Sequence, residues 1–310
     1  MAYTPFVSVI VPNYNYAQYL EQRMETILNQ TYQNFEVIIL DDCSTDNSLE
    51  IIENYRLHPK VREVIVNEHN SGSPFKQWNK GIYLAKGDLI WIAEADDYCE
   101  SNFLEELVRA FCSVDDCAVT YSLSYLVDLE GKYIGEIPYR LGGVSIYSSA
   151  KEYIPDCMSM GCDIWNGSSA IFDRRKALLL TDRYTQYTAC GDKMFWISLS
   201  EQGSMIRVNQ PLNFFRQHGI NTTSRKIRSG VTHWEEFQIY KYIIEKGYLC
   251  GWRKYETFNY YIQKIYATQY DSSSIRKEII SLWANRMIIN AFVMNLFKKF
   301  FHLIRLIRNI

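Results

Sequence analysis

Four short apolar runs constrain this chain more than any other feature. Each is stopped by polar residues, and helix-period segments separate them. Val7–Val11 ends at Pro12-Asn13, Phe35–Leu40 at Asp41-Asp42, and Leu89–Ala93 at Glu94-Ala95-Asp96-Asp97; Val61–Asn67 is the fourth run. Between them, Tyr16–Gln30 carries Tyr19, Leu20, Met24, Ile27 and Leu28 in helical phase, and Asp46–Tyr55 and Phe75–Ala85 also read as helices. Unbroken β-branched runs are strands buried on both faces, and their alternation with helices predicts a parallel sheet covered by helices on both sides. The expected fold class is therefore α/β, with a Rossmann-like, mostly parallel sheet. Ligands of such sheets bind beyond the carboxyl ends of the strands. Asn13, Asp41, Asp42, Glu94, Asp96 and Asp97 all fall at those ends.

Downstream, Ser101 reads as the N-cap of a helix through Cys112. Cys117–Ser124, Tyr133–Ile137 and Asp163–Phe172 read as strands, and Arg174–Leu180 and Asp192–Ser200 as helices. Met205–Asn209 and Asn213–Gln217 read as two short strands, and Gly219–Gly230 as a mobile polar loop. After His233 the pattern is helical. The chain thus divides into a domain over 1–231 and a helical extension over 232–310.

Charge and cysteine usage exclude several classes. Lys plus Arg is 33 and Asp plus Glu is 35, a net charge of −2, so no general basic field exists for coating nucleic acid. Eight cysteines show no C-x-x-C and no zinc-finger spacing, which suits free thiols in a reducing cytoplasm. The start lacks a basic n-region, and Met287–Phe297, the longest apolar run near the end, falls short of the roughly 20 residues a spanning helix needs. No G-x-G-x-x-G follows Val11, against a dinucleotide-binding dehydrogenase.

Carboxylates at a strand end suit a hard divalent ion such as Mg²⁺ or Mn²⁺, which bridges protein oxygens to diphosphate. An acidic turn alone is common; its place beside Asp41-Asp42 at a second strand end makes it informative. The ordered set V-S-V-I-V-P-N-Y-N (7–15), D-D-C-S-T-D (41–46), N-S-G (70–72) with Asn79-Lys80-Gly81, A-K-G-D-L-I-W-I-A-E-A-D-D (85–97), and F-R-Q-H (215–218) with T-T-S (222–224) resembles family 2 of the nucleotide-sugar glycosyltransferases. The resemblance covers roughly residues 5–225. It implies the GT-A fold and single-displacement, inverting transfer of a sugar from a nucleotide-diphospho-sugar, UDP-linked by family frequency, to an acceptor hydroxyl. It also implies Mn²⁺ or Mg²⁺ as cofactor and a saccharide or lipid-linked saccharide acceptor, as in bacterial surface polysaccharide synthesis.

The resemblance assigns roles by position. Tyr14 would stack on the nucleobase in a pocket shaped by Pro12. Asp42 would hydrogen-bond the base and Asp41 lie toward the ribose, with Ser44 and Asp46 as turn caps. Gly72 suits either close backbone approach to the ligand or a positive-φ turn. Glu94 stands where the family's D-x-D begins and would contact ribose or a metal-bound water. Asp96 would ligate the metal, with His218 contributing to the metal or diphosphate site. Asp97 would orient the sugar or cap the next segment. Asp192, in Cys190-Gly191-Asp192, occupies the general-base position, and Gly191 replaces the usual Glu. Trp196 would pack beneath the site. Lys76 is expected at the surface. Arg225 or Lys226 would pair phosphate oxygens if the polar loop closes, and Ile164–Ser169 would face the acceptor or form a core strand. The alternative function is a nucleotide-sugar-binding protein without transfer activity.

Residues 287–310 are amphipathic. Leu296, Phe297, Phe300, Leu303, Ile304 and Ile307 share one face and Lys298, Lys299, His302 and Arg305 the other. Such a helix suits the anionic inner surface of a membrane, or packs on the domain or in a homodimer.

Overall fold

The structure, a computed structural model, describes residues 4–136, 142–217 and 222–284. The backbone forms two compact units. One contains residues up to 158 and 162–219; the other begins at residue 220 and includes 159–161. This boundary falls ahead of the composition change near 232.

The first unit begins as the apolar runs require: β1 (Val7–Asn13), α1 (Ala17–Leu28), β2 (Phe35–Asp41), α2 (Ser48–Tyr55), β3 (Val61–Val66), α3 (Pro74–Leu84) and β4 (Leu89–Ile92). Every residue of β2 and β4 is buried, and all of β1 except Pro12. Residues of such strands have no solvent face, which explains why they lack alternation. Parallel ladders join β3 to β2, β2 to β1 and β1 to β4. The register pairs Val7 with Phe35 and Asn13 with Asp41, so the polar strand ends arrive level with each other.

The remainder of the unit contains β5 (Tyr98–Cys99), α4 (Phe103–Phe111), β6 (Cys117–Val127), β7 (Tyr133–Glu136), β8 (Val144–Tyr147), α5 (Ala150–Tyr153), β9 (Ala170–Asp173), α6 (Arg174–Leu178), α7 (Gly191–Ser200) and β10 (Ser204–Arg216). The sheet order is β3-β2-β1-β4-β9-β6-β10-β5, with β7 beside β6 and β8 beside β10. β6 and β10 are parallel; β9 runs antiparallel between β4 and β6, and β5, β7 and β8 are also antiparallel. The longest ladders are parallel, which gives the expected mostly parallel sheet, with antiparallel strands inserted in its second half.

Several local expectations are corrected. The strand expected over Asp163–Phe172 is reduced to β9, preceded by a 3₁₀ turn over Gly167–Ser169. Asn166 and Ser168 hydrogen-bond the acidic loop after β4 instead of extending the ladder. The two short strands after Met205 are one strand, β10, with register shifts on either side of Pro211. Proline has no N–H to donate, so the ladder bulges there. Asn102, not Ser101, precedes α4, with no side-chain cap; the Ser101 carbonyl instead accepts the Thr31 N–H at 2.8 Å. The polar segment expected as a loop contains a helix, α8 (Thr222–Arg228). None of the eight cysteines is in a disulfide.

The second unit contains α8, α9 (Val231–Glu245), α10 (Gly251–Ala267) and α11 (Ser273–Ala284). Trp283 is its centre, with the rings of Tyr261, Phe237 and Tyr240 at 4.9, 5.2 and 5.3 Å. Gly230 turns the chain between α8 and α9 at φ +83°, and a Cβ there would meet Ile275 at 2.7 Å. Among the described residues no helix is long and apolar enough to cross a membrane. The amphipathic segment 287–310 lies outside the described residues.

Close approach of α3 to β1 depends on Gly81, where a Cβ would lie 2.5 Å from Ile10 Cγ2. Gly81→Ala should therefore destabilise the unit by about 1–3 kcal/mol, because overpacking outweighs the helix-propensity gain. Thermal denaturation checks this: an unchanged or higher melting temperature would contradict the contact.

Candidate active site

The carboxyl ends of β1, β2 and β4 deliver the expected polar groups to one edge. On the β1–β2 side, Tyr14 is 45% exposed beyond a buried Asn13. Asp41 is engaged on both oxygens: the Ser44 N–H donates at 2.8 Å, the Ser44 hydroxyl at 2.6 Å and the Asn13 amide at 2.7 Å. These bonds make Asp41 a turn-forming residue in this structure. Asp46 likewise accepts from the N–H groups of Ala17 and Ser48, each at 3.0 Å.

Asp42 is buried and organises the loop that faces it. Its Oδ1 accepts from Asn67 Nδ2 at 2.6 Å, Gln77 Nε2 at 2.7 Å and the Ser71 N–H at 2.9 Å; its Oδ2 accepts from the Ser71 hydroxyl at 2.7 Å. Gly72 follows at φ +74°, with no atom within 4 Å of a Cβ, so the turn rather than close packing requires glycine. Pro12 is partly exposed beside these groups in β1. Lys76 is exposed, and its ammonium donates to the Ser71 carbonyl at 3.0 Å.

The β4 end forms a second, more strongly charged centre. The Glu94 N–H donates to Ser168 Oγ at 3.0 Å. Asp97, 2% exposed, accepts from the Asn166 amide and from the Arg216 N–H at 3.1 Å. Asp96 remains partly exposed, with the Tyr16 hydroxyl donating to its carboxylate. Burial, then the charges of Asp97, Asp96 and Asp192, push the Glu94 carboxyl well above the usual carboxylate range. Burial and Asp96 push Asp97 up to about 7, against the opposing effects of Arg23, Ser168 and the Arg216 N–H. Burial, followed by the Asp96 and Glu94 charges, also raises the Tyr16 phenol. Four carboxylates thus act on one another across a gap in sequence of nearly a hundred residues, and Asp192 is the distant member.

Asp192 stands in the first turn of α7, after Cys190 at the cap. At Gly191 a Cβ would lie 2.4 Å from Phe75 Cδ2 and 2.6 Å from the Tyr184 carbonyl. The aromatic ring of Phe75 therefore fills the space that a side chain at position 191 would need. Phe75 continues into a packed bed: Trp78 lies 5.4 Å from it, and Phe195 and Trp196 lie 5.8 and 6.0 Å from Trp78. Trp196 is fully buried in this bed, as expected.

The chemistry of the edge fits a hard divalent cation: its donors are carboxylate oxygens, and they repel one another. Among the described residues no three Asp, Glu, His or Cys side chains converge as a complete metal cage. A cation held by one or two carboxylates with diphosphate and water completing its shell fits that arrangement. His218 lies outside the described residues. Arg225 and Lys226 belong to α8, in the second unit.

Three residues at this edge carry no role in the sequence reading, Tyr16, Arg23 and Arg216, and two more, Asn166 and Ser168, enter it only as part of the segment Ile164–Ser169. Arg216 stood in plain view inside F-R-Q-H. Arg23 had a signal too, because it is a charge in phase with the apolar stripe of α1. The contacts of Asn166 and Ser168 are long-range and leave no local pattern.

Comparison with known proteins agrees with this architecture. Residues 8–163 match the family model described as glycosyl transferase family 2. The glycosyltransferase GlyG of Streptococcus pneumoniae is 43% identical over 103 residues, 33% of this chain and 34% of that protein. TuaG of Bacillus subtilis, described as a putative teichuronic acid biosynthesis glycosyltransferase, is 28% identical over 159 residues, 51% of this chain and 62% of that protein. The chain thus spans about a third of GlyG and under two thirds of TuaG. The crystal structure of Staphylococcus aureus TarS 1–349 in complex with UDP-GlcNAc shares the fold, with a TM-score of 0.59 and 19% identity over 93% of this chain and 75% of that one. With half of its length inside the family match and the GT-A architecture around it, the chain belongs to family 2 of the glycosyltransferases.

Proposed function

We propose that the chain is an inverting glycosyltransferase. It takes a sugar from a nucleotide-diphospho-sugar, UDP-linked, and attaches it to a saccharide or lipid-linked saccharide hydroxyl in bacterial surface polysaccharide synthesis. The observation that carries the reading is the family 2 match over residues 8–163 together with the carboxylates at the end of β4, where the charge of Asp192 from α7 also acts on Glu94. The solved UDP-GlcNAc complex of TarS and the biosynthetic description of TuaG support the donor and the pathway class.

In this reading the half-exposed Tyr14 ring stacks on the base beside Pro12, with Asp42 and the Gly72 turn forming the pocket wall and Asp41 holding the β1–β2 turn toward the ribose. Glu94 contacts the ribose side. Asp96 would hold Mn²⁺ or Mg²⁺, with His218 as a further candidate, and such an ion would supply Lewis-acid neutralisation of the departing diphosphate. Asp192 accepts the proton of the acceptor hydroxyl as it attacks the anomeric carbon from the face opposite the diphosphate, and inversion follows from that single displacement. Asp97 orients the acidic loop through Asn166 and Arg216. The enzyme works in the cytoplasm, with residues 287–310 as a candidate attachment to the inner membrane surface or to a second copy.

A panel of nucleotide-sugars with Mn²⁺, read as nucleoside diphosphate release, tests the activity; no release with any donor would favour a binding protein. Asp192→Asn should retain UDP binding and cut transfer on the order of 10²-fold or more, because shape is kept and basicity lost. Near wild-type transfer would remove Asp192 from the base role. Asp96→Ala should abolish the enhancement of UDP binding by Mn²⁺ in calorimetry, and an intact enhancement would move the metal elsewhere.

A further inference from the structure

One residue in the apolar stripe of α1 is charged. Arg23 lies in phase with Tyr19, Leu20, Met24 and Ile27 and is as buried as they are, at 0% exposure. Its guanidinium carbon sits 4.8 Å from the centroid of the Trp91 ring. None of its three nitrogens makes a hydrogen bond of good geometry among the described residues, although the Cys99 thiol lies close enough to feel it. A lone buried cation is strongly unfavourable unless opposite charge stands near it. Here that charge is at hand. Trp91 Nε1 donates to the Ser168 carbonyl at 2.8 Å, and Ser168 Oγ accepts the Glu94 N–H at 3.0 Å, so the ring carrying the guanidinium is fixed to the start of the acidic loop. The Arg23 charge acts on both Glu94 and Asp97, against the repulsion from Asp96 and Asp192. Arg216, another cation at this edge, spends its side chain on the carbonyls of Asp96, Asp128 and Leu129 and on Gln22.

We propose that Arg23 is a positioning residue: a buried counter-cation, stacked on Trp91, that holds the Glu94-Ala95-Asp96-Asp97 loop in place behind the donor site. It touches neither substrate nor reacting atoms. Its service is to offset the clustered negative charge from the protein side, so that the loop is already formed when a cation and diphosphate arrive in front. The cation half of this proposal rests on the reading of the edge as a donor site; the charge coupling within the protein does not.

Melting of the full chain in mildly alkaline, metal-free buffer tests the coupling. Arg23→Met keeps length and apolar packing but removes the charge, and should melt roughly 5 °C or more below wild type. Glu94→Gln in the same background should restore at least about half of that loss, although it restores little or nothing to wild type. Arg23→Lys should lie between the two. If Arg23→Met does not fold alone, recovery of a folded chain in the double variant supports the proposal and continued failure overturns it. Equal shifts from Glu94→Gln with and without Arg23 would also overturn it, leaving Arg23 as packing. Mn²⁺ alone should then raise the melting temperature of Arg23→Met by more than that of wild type, and equal increments would overturn the anticipatory role. An Mn²⁺ effect absent from both proteins, with the double-variant recovery intact, would sink the metal reading and leave the counter-cation standing.

Discussion

Arg216 is the fastener on which the acidic edge depends. It ends β10, the strand contributed last to the sheet, yet it reaches three separate parts of the first unit. Its N–H holds the Asp97 carboxylate at 3.1 Å, its Nε holds the Asp96 carbonyl at 2.8 Å, and Nη1 ties down the carbonyls of Asp128 and Leu129. Nη2 donates to Gln22 on α1, and the guanidinium lies 4.3 Å over the Tyr19 ring. A planar guanidinium can serve several acceptors and an aromatic face together, which an ammonium cannot. At 3% exposure these bonds are also obligatory, because a buried guanidinium left unpaired would be costly. The acidic loop is thereby closed by the final strand, so its geometry is complete only when the whole sheet has formed.

The edge so fastened has two electrostatic characters. At the β1–β2 end, Asp41 and Asp42 are saturated by neutral donors, and their charge is spent on shaping turns. At the β4 end, Asp97 is bonded to Asn166 and Arg216, and Glu94 and Asp97 are pushed up by burial and by the carboxylates beside them. Perturbed carboxylates collected in one place are a mark of a functional site, and here the distant Asp192 is drawn into the group. In the proposed reading the two halves serve different parts of one ligand: the hydrogen-bonded β1–β2 end the base, and the charge-dense β4 end the diphosphate and its cation.

Sterics decide the third side. Gly191 and Gly167 both lie against aromatic rings of α3, with built Cβ positions 2.4 Å from Phe75 and 2.6 Å from Trp78. The aromatic bed formed with Phe195 and Trp196 brings α7 near enough for Asp192 to sense Glu94. From sequence, Gly191 reads as the loss of an acidic residue. In the structure it is a condition of packing, because any side chain there would push Phe75 or the chain at Tyr184 aside.

Local pattern is enough to specify the first half of the fold. Unbroken β-branched runs can only be strands buried on both sides, the helices between them repeat with a clear period, and polar residues at the strand ends then share an edge. Glu94, Asp96 and Asp42 were legible for that reason, since their positions follow from local pattern. The rest depends on contacts between distant parts of the chain. A two-residue strand such as Tyr98–Cys99 has no period to read, and β10 reads as two strands because Pro211 interrupts its pattern while its neighbours keep it in one ladder. Arg23, Asn166, Ser168 and Arg216 derive their importance from partners remote in the chain, and Asp41 became a turn former only when Ser44 and Asn13 closed on it. Periodicity records which face of an element is buried; it does not record what lies on the other side of that face, and there the charges of this site are balanced.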